Sequence, residues 1–374
     1  MLDKILLFPY YLTLKLRNRR YGRPGAKLQY AEKPTLCVGN VTVGGTGKTP
    51  HVEMVLRLLQ QSPEWCDKHL AVLSRGYKRE SKGFQQVVAT GGATAFGDEP
   101  LQIKKKFPGV TVVVDKNRVE GCELLAHPEK LKERKYARKC WNRDFPAADY
   151  IVLDDAFQYR KLKTNKSVVL VNWHRPVNKD MLLPLGRLRD LPERIYDADA
   201  LIVTNCPAVL ERSAQAEFLE KLGFGDYLPS SCEAVNPKGR RQLVFFTEVN
   251  YGQATGLYST TEPRYLYAKK IILATGIASD GPLRAYLSDF YKIIKRFSFP
   301  DHHRYAWKDI SRIQEVIEKN PTAAVVTTEK DAQRLLDYNG MPESLMQRLF
   351  YVPITVDFLS DEEREVFTDF ITTV

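Results

Sequence analysis

Apolar residues in this chain fall into short runs that end in polar or glycine-rich stretches, and helical spacing usually follows. Residues 36–38 read as a buried strand. A loop with Gly44, Gly45 and Gly47 comes next, and Val52, Val55, Leu56 and Leu59 then recur with the period of a helix. Further strands are predicted at 69–73, 110–114, 150–154, 167–171 and 200–203, with helical patterns over 101–107 and from Arg118 through Val119, Cys122 and Leu125. From about residue 208 the texture changes: a helix over 209–221 gives way to strands at 242–247, 271–274, 323–326 and 351–356, with a helix at 283–291 and a helical tail. Strands alternating with helices predict an α/β fold with a mainly parallel sheet flanked by helices, and a second, smaller α/β lobe.

The 374 residues exceed the usual reach of one core, which predicts two lobes. No Gly/Ser linker or repeat marks a border, so a short hinge is expected. The expected division is an N-terminal helix over 1–22, a first lobe over 23–207 and a second over 208–374, whose final segment can pack back on the first.

Residues 2–16 are mostly apolar or aromatic, but Asp3, Lys4, Pro9 and Lys15 interrupt them. The run is too short and too punctuated to cross a bilayer, and Arg17, Arg19, Arg20, Arg23 and Lys27 follow where a secretory signal would have small residues. Apolar residues beside a basic cluster suit a helix lying in a membrane interface over anionic lipid; a helix packed on the protein's own core is the alternative.

Composition changes this picture little. Net charge is +11, which fits nucleic acid, an anionic membrane or a phosphorylated substrate equally. Six scattered cysteines without a C-x-x-C pair argue against zinc and redox dithiols; buried thiols in a reducing compartment are expected.

The candidate chemistry begins at the glycine loop. Strand, glycine loop and helix in that order form a phosphate cradle, because glycines let backbone N–H groups turn inward and the helix start adds partial positive charge. Gly44, Gly45, Thr46 and Gly47 would supply the cradle, Lys48 would reach the β- and γ-phosphates, and the Thr49 hydroxyl would ligate Mg²⁺. Thr42 stands where the usual pattern has its first glycine. Asp154, closing an apolar strand, is the matching Mg²⁺-side carboxylate. Ser74 and Arg75 end another strand where ligands bind in open α/β sheets. Asp98 and Glu99 sit at a helix start, either as capping charges or with a carboxylate that accepts a proton. Arg187 and Arg189 lie in a bent loop and suit phosphate contact or a solvated surface. The adjacent His302 and His303 are a poor chelate; one of them sharing a proton with a carboxylate is the functional reading, and a surface turn the bland one.

Seven stretches in order, residues 39–50, 74–77, 97–100, 154–158, 183–189, 301–303 and 328–331, resemble the tetraacyldisaccharide 4′-kinase family, the lipid A 4′-kinases of Gram-negative bacteria. The resemblance covers nearly the whole chain. It implies a P-loop NTPase-like kinase that moves the γ-phosphate of ATP to the 4′-hydroxyl of a tetraacylated glucosamine disaccharide 1-phosphate. It further implies a monomer peripheral to the cytoplasmic face of the inner membrane, with Mg²⁺, an anionic membrane surface and no nucleic acid as partner. Carried over by position, Lys48 and Thr49 serve ATP and Mg²⁺, Asp154 is the metal-side carboxylate, and Asp98 is the base with His302 as partner. Ser74, Arg75, Glu99, Asp155 and Gln158 would line the substrate, with Arg189 near the phosphates. Tyr159 stands where the family usually has histidine, Asp190 where it has glutamate, and Leu185 and Arg187 replace its usual Ala and Pro. The rival readings are a P-loop GTPase or ATPase regulator and a nucleic-acid ATPase. The first lacks an N/T-K-x-D motif, and the basic residues do not form the stripe with stacking aromatics that the second requires.

Overall fold

A computed structural model describes residues 2–137 and 139–373, and the side chains among them except those of 2–6 and 137. Seven parallel strands form the centre of the larger sheet. In chain order they are β1 (Thr35–Asn40), β2 (Leu70–Ser74), β3 (Thr111–Val114), β4 (Tyr150–Asp154), β5 (Lys166–Asn172), β6 (Ala200–Thr204) and β7 (Arg241–Tyr251). Their spatial order is β7-β6-β5-β1-β4-β2-β3, and short strands at Gly225–Leu228, Glu233–Val235 and Gln85–Gln86 extend the two edges. β1, β2, β4 and β6 are buried along their whole length, which is why they read as continuous apolar runs.

The smaller sheet has β8 (Lys270–Thr275), β9 (Lys292–Ser298), β10 (Ala324–Thr328) and β11 (Leu349–Val352) parallel in the order β11-β10-β8-β9, with the short strand Thr255–Gly256 antiparallel to β11 at its edge. β12 (Ile354–Phe358) then runs antiparallel to β7 in the larger sheet.

The border expected at 207/208 is therefore displaced. Residues 208–251 finish the first sheet, and the chain leaves it at Gly252 and re-enters after Pro353, whose carbonyl accepts the Gly252 N–H at 2.8 Å. The single strand expected over 351–356 is two strands in different sheets. Proline lacks the N–H that would continue a ladder, and Pro353 stands at the crossing.

Eight helices matter to the site: α1 (Leu2–Gly22), α2 (Lys48–Gln61), α3 (Asp98–Lys106), α4 (Arg118–Ala126), α5 (Gly281–Phe290), α6 (Trp307–Glu318), α7 (Glu329–Leu336) and α8 (Asp361–Thr372). α2 buries Val52, Val55, Leu56 and Leu59 against the first sheet, and α8 closes the same core with Phe367 and Ile371. α5 and α6 pack on the smaller sheet through Leu283 and Leu287, and through Ile310, Ile313 and Ile317. α7 is capped by the Thr328 hydroxyl and lies against α3, so the two lobes meet helix to helix.

One side of α1 is fixed to the protein. Leu14 is buried, the Tyr10 hydroxyl donates to the Arg189 carbonyl at 3.1 Å, and Arg17 and Asn18 donate to the two oxygens of buried Asp190 at 2.8 and 2.9 Å. Phe8, Tyr11, Leu12 and Leu16 remain exposed at the i, i+3, i+4, i+8 positions of the other side. No helix among the described residues is long and apolar enough to cross a membrane. Five cysteines are buried as expected, whereas Cys66 is exposed in the turn beyond α2.

Candidate active site

β1 ends in Asn40, and this buried side chain organises the glycine loop. Its amide donates to the hydroxyls of Thr42 at 3.2 Å and Thr46 at 2.6 Å, and its carbonyl oxygen accepts from Lys48 Nζ at 3.4 Å and from Arg189 Nη2. Gly44, Gly45 and Gly47 take φ of 67°, 70° and 74°, a region that L side chains enter only with strain. Thr42 fills the first-glycine position because the loop starts as a bridge: Val43 N–H donates to the Arg187 carbonyl and Arg189 N–H to that of Val41. Asn40 carried no sequence expectation. Its signal was a polar residue closing an apolar run directly before the loop.

Two neighbouring carboxylates face this loop with opposite character. Asp154 Oδ2 accepts from the Ser74 hydroxyl at 2.9 Å, while its buried Oδ1 has no hydrogen-bond partner among the described residues. Burial, with Glu99 and Asp155 nearby, pushes the Asp154 carboxyl up to about 7. Asp155 is only partly buried, and Lys48 and Arg189 outweigh its desolvation and hold it at about 2. Arg189 grips both Asp155 oxygens, one at 2.9 Å, and Lys48 Nζ lies 3.9 Å away. Gln158 donates to the Asn40 carbonyl. Thr49 is buried in the first turn of α2.

The other half is built across the lobe boundary, where Asp98 of the first lobe meets His302 and Arg334 of the second. Asp98 follows Gly97, whose φ is 97°, and is buried at the start of α3. Its Oδ2 accepts from His302 Nδ1 at 3.1 Å, from Arg334 Nε at 2.9 Å and from Arg334 Nη2; its Oδ1 accepts the Glu99 N–H at 3.0 Å. Burial alone would raise this carboxyl, but His302, Lys330 and Arg334 hold it well below the usual range. Lys330 Nζ donates to Glu99 at 2.9 Å and to His302 Nε2 at 3.3 Å.

His302, at φ 59°, faces the site and packs edge-on against Tyr77. His303 turns into its own lobe, stacked on Phe299 and bonded to Asp309 at 2.8 Å. Lys330 and Arg334 carried no expected role, although they stand four apart in the helix that begins in the 328–331 signature.

The two halves adjoin. A Cβ placed on Gly44 would lie 3.7 Å from Asp301 Oδ2, and Asp301 is 3.7 Å from Lys330 Nζ. Among the residues expected to line substrate, Ser74, Asp155 and Gln158 are engaged with Asp154, Arg189 and Asn40, Glu99 is paired with Lys330, and Arg75 is exposed at the end of β2. Tyr159 donates to the Asn117 side chain at 2.9 Å, and Asp190 anchors α1. These are the contacts of two of the positions where the family pattern is broken. A phosphate cradle with its cations thus adjoins a carboxylate–imidazole pair that itself spans the lobe boundary, which is the layout for moving a phosphoryl group to a hydroxyl.

Comparison with known proteins gives the family. The family profile described as tetraacyldisaccharide-1-P 4′-kinase matches residues 4–373. A tetraacyldisaccharide 4′-kinase of Porphyromonas gingivalis is 36% identical over 96% of this chain and 93% of its own length. That of Parabacteroides distasonis is 33% identical over 96% of this chain and 90% of its own. A crystal structure of LpxK from Aquifex aeolicus in complex with ATP shares the fold, with a TM-score of 0.67 at 24% identity, covering 100% of both chains. The chain belongs to the tetraacyldisaccharide 4′-kinase family.

Proposed function

We infer that this protein is an ATP-dependent kinase that phosphorylates the 4′-hydroxyl of a tetraacylated glucosamine disaccharide 1-phosphate in lipid A biosynthesis, giving lipid IVA. The observation that carries the reading is the juxtaposition of the Lys48 loop with the Asp98–His302 pair, whose carboxylate comes from the first lobe and whose imidazole comes from the second. A regulator without a lipid acceptor is not favoured, since the family match runs the length of the chain.

In this reading the Gly44–Gly47 backbone and Lys48 hold the β- and γ-phosphates, and Arg189 lies near them. Phosphoryl transfer needs little covalent help, so positioning and charge neutralisation dominate. The buried Asp154 Oδ1, without a hydrogen-bond partner among the described residues, and the Thr49 hydroxyl fit a Mg²⁺ ion that arrives with the nucleotide. Ser74 orients Asp154 for that task. When bound, Mg²⁺ would offset negative charge on the phosphates. Asp98, partnered by His302, receives the hydroxyl proton, and Arg75 and Glu99 line the acceptor.

The exposed Phe8, Tyr11, Leu12 and Leu16, with Lys15, Arg19 and Arg20 beside them, fit α1 to an anionic membrane interface. The acyl chains then stay in the bilayer while the sugars reach the site, with the protein a monomer peripheral to the cytoplasmic face of the inner membrane.

The test is the regiochemistry of the product. Incubation with ATP, Mg²⁺ and the disaccharide in mixed micelles should yield a second phosphate monoester, located at the 4′ oxygen by NMR. An acceptor with that hydroxyl removed should receive none. Phosphate on another oxygen, or hydrolysis of ATP without any acceptor product, would overturn the reading.

A further inference from the structure

We propose that Arg334 is the positioning residue of the Asp98–His302 pair, presenting one carboxylate oxygen of Asp98 to the acceptor hydroxyl only while the two lobes are together. The proposal rests on the kinase reading above and adds to it a residue from the second lobe.

The geometry begins with how Arg334 is held. Its Nη1 donates to Asp331 Oδ1 at 2.8 Å and to the Gly276 carbonyl at 2.9 Å, both in its own lobe. Asp331 has no exposed surface, and its Oδ2 accepts from the Gly276 N–H at 2.8 Å and the Thr328 hydroxyl at 2.7 Å. The space is closed: a Cβ on Gly276 would lie 2.9 Å from Asp331 Oδ1. With one edge of the guanidinium fixed, Nε and Nη2 project across the boundary onto Asp98.

Every side-chain donor to Asp98, from Arg334 and from His302, falls on Oδ2. Oδ1 accepts only the Glu99 backbone N–H among the described residues, so one of its lone-pair directions is left for an acceptor hydroxyl. In the transfer, the acceptor oxygen bonds to the γ-phosphorus and the bond from that phosphorus to the β,γ-bridging oxygen breaks, its electron pair leaving on ADP. The hydroxyl proton passes to Asp98 Oδ1. In a loose transition state the proton leaves late, when the attacking oxygen has become acidic, so a carboxylate of low basicity suffices. Arg334 contributes orientation and ionisation rather than base strength.

The charged groups around Asp98 come from both lobes. His302, Lys330 and Arg334 face it from the second, Glu99 adjoins it on α3, Asp301 stands behind His302 and Lys330, and Asp331 stands behind Arg334. Removing Arg334 leaves two of the three favourable partners while burial still opposes ionisation.

The experiment compares full-length Arg334→Met and Arg334→Lys with the intact protein, measuring label transfer from ATP to the disaccharide between about pH 5 and about pH 9. Dividing each variant rate by the intact rate at the same pH cancels titrations common to both. Arg334→Met should lower kcat by about 10²-fold with KM for ATP within about twofold. Its relative rate should fall further as pH drops. Arg334→Lys should recover part of the rate and lessen the fall, and adding Asp98→Asn to Arg334→Met should cost little more. A relative rate that is flat with pH, or losses that multiply in the double variant, would overturn the proposal. If the methionine variant does not fold, Arg334→Lys keeps the charge beside Asp331 and carries the same comparison: a pH-dependent relative rate supports the assignment and a flat one sinks it. Absence of transfer by the intact protein would instead overturn the kinase reading, and this proposal with it.

Discussion

Lys106 joins the lobes through two buried acids, and replacing it gives a measurable test of how they hold together. Its ammonium lies 2.7 Å from Glu53 on α2 and 2.7 Å from Glu329 on α7, while Gln102 donates to Glu53 at 2.8 Å. Glu53 and Glu329 are 1% and 6% exposed, so Lys106→Met would leave two facing carboxylates without a cation. Stripping one partner from a buried ion pair costs about 3–5 kcal/mol. Because the Lys106 side chain is 27% exposed, water offsets part of this, and about 2–3 kcal/mol is expected.

The deficit should depend on pH. Burial already lifts the Glu329 carboxyl above its ordinary value, Lys106 works against that rise, and loss of Lys106 lifts it further. A carboxyl with a folded pKa above its unfolded one binds more protons when folded, so stability falls as pH rises between the two values. The variant should therefore lie closest to the intact protein in the ordinary carboxyl range and lose stability upward through the raised Glu329 pKa. Its slope there is at most about 1.4 kcal/mol per pH unit. Urea unfolding followed by circular dichroism at about pH 5 and about pH 8 measures both quantities. Adding Glu329→Gln should restore part of the loss at the higher pH. A deficit below about 0.5 kcal/mol, or one equal at both pH values, would refute this account of the interlobe bridge.

Other sites give sharp outcomes. Asn40→Ala removes the anchor of Thr42, Thr46 and Lys48, and about 1–2 kcal/mol of lost loop order should raise KM for ATP roughly tenfold while the thermal midpoint moves little. Ser74→Ala frees the Asp154 side chain, so half-maximal rate should require roughly tenfold more Mg²⁺, read from a metal titration; an unchanged requirement would separate Ser74 from the metal side. Replacing Phe8, Leu12 and Leu16 together by serine should abolish sedimentation with anionic vesicles and leave ATP binding intact, whereas equal loss of both would mark α1 as a core element alone.

Much of this architecture was legible because its signals are local. The Gly44–Gly47 loop, the strand ending in Asp154 and the α2 stripe are each contained within about one strand-turn-helix unit. Residues whose meaning lies in a distant partner were not. Arg334 meets Asp98 across 236 positions, and Asp190 meets Arg17 across 173, so neither spacing nor periodicity reports them. The lobe border was misplaced because β7 continues the parallel sheet beyond residue 208, where the change of texture reads as a boundary. Pro353 was the overlooked marker of the return crossing. His302 and His303 could not be separated in the sequence, since only the turn at φ 59° decides which imidazole faces Asp98.

The most direct measurement of the central claim is transfer of labelled γ-phosphate from ATP to the tetraacyl disaccharide 1-phosphate, comparing the intact protein with Asp98→Ala while ATP binding is followed separately. Robust transfer by the intact protein that collapses in the variant, with ATP still bound, is the predicted result. Transfer undiminished in Asp98→Ala would contradict the role of the interlobe pair, and no transfer from folded, ATP-binding intact protein would contradict the kinase itself.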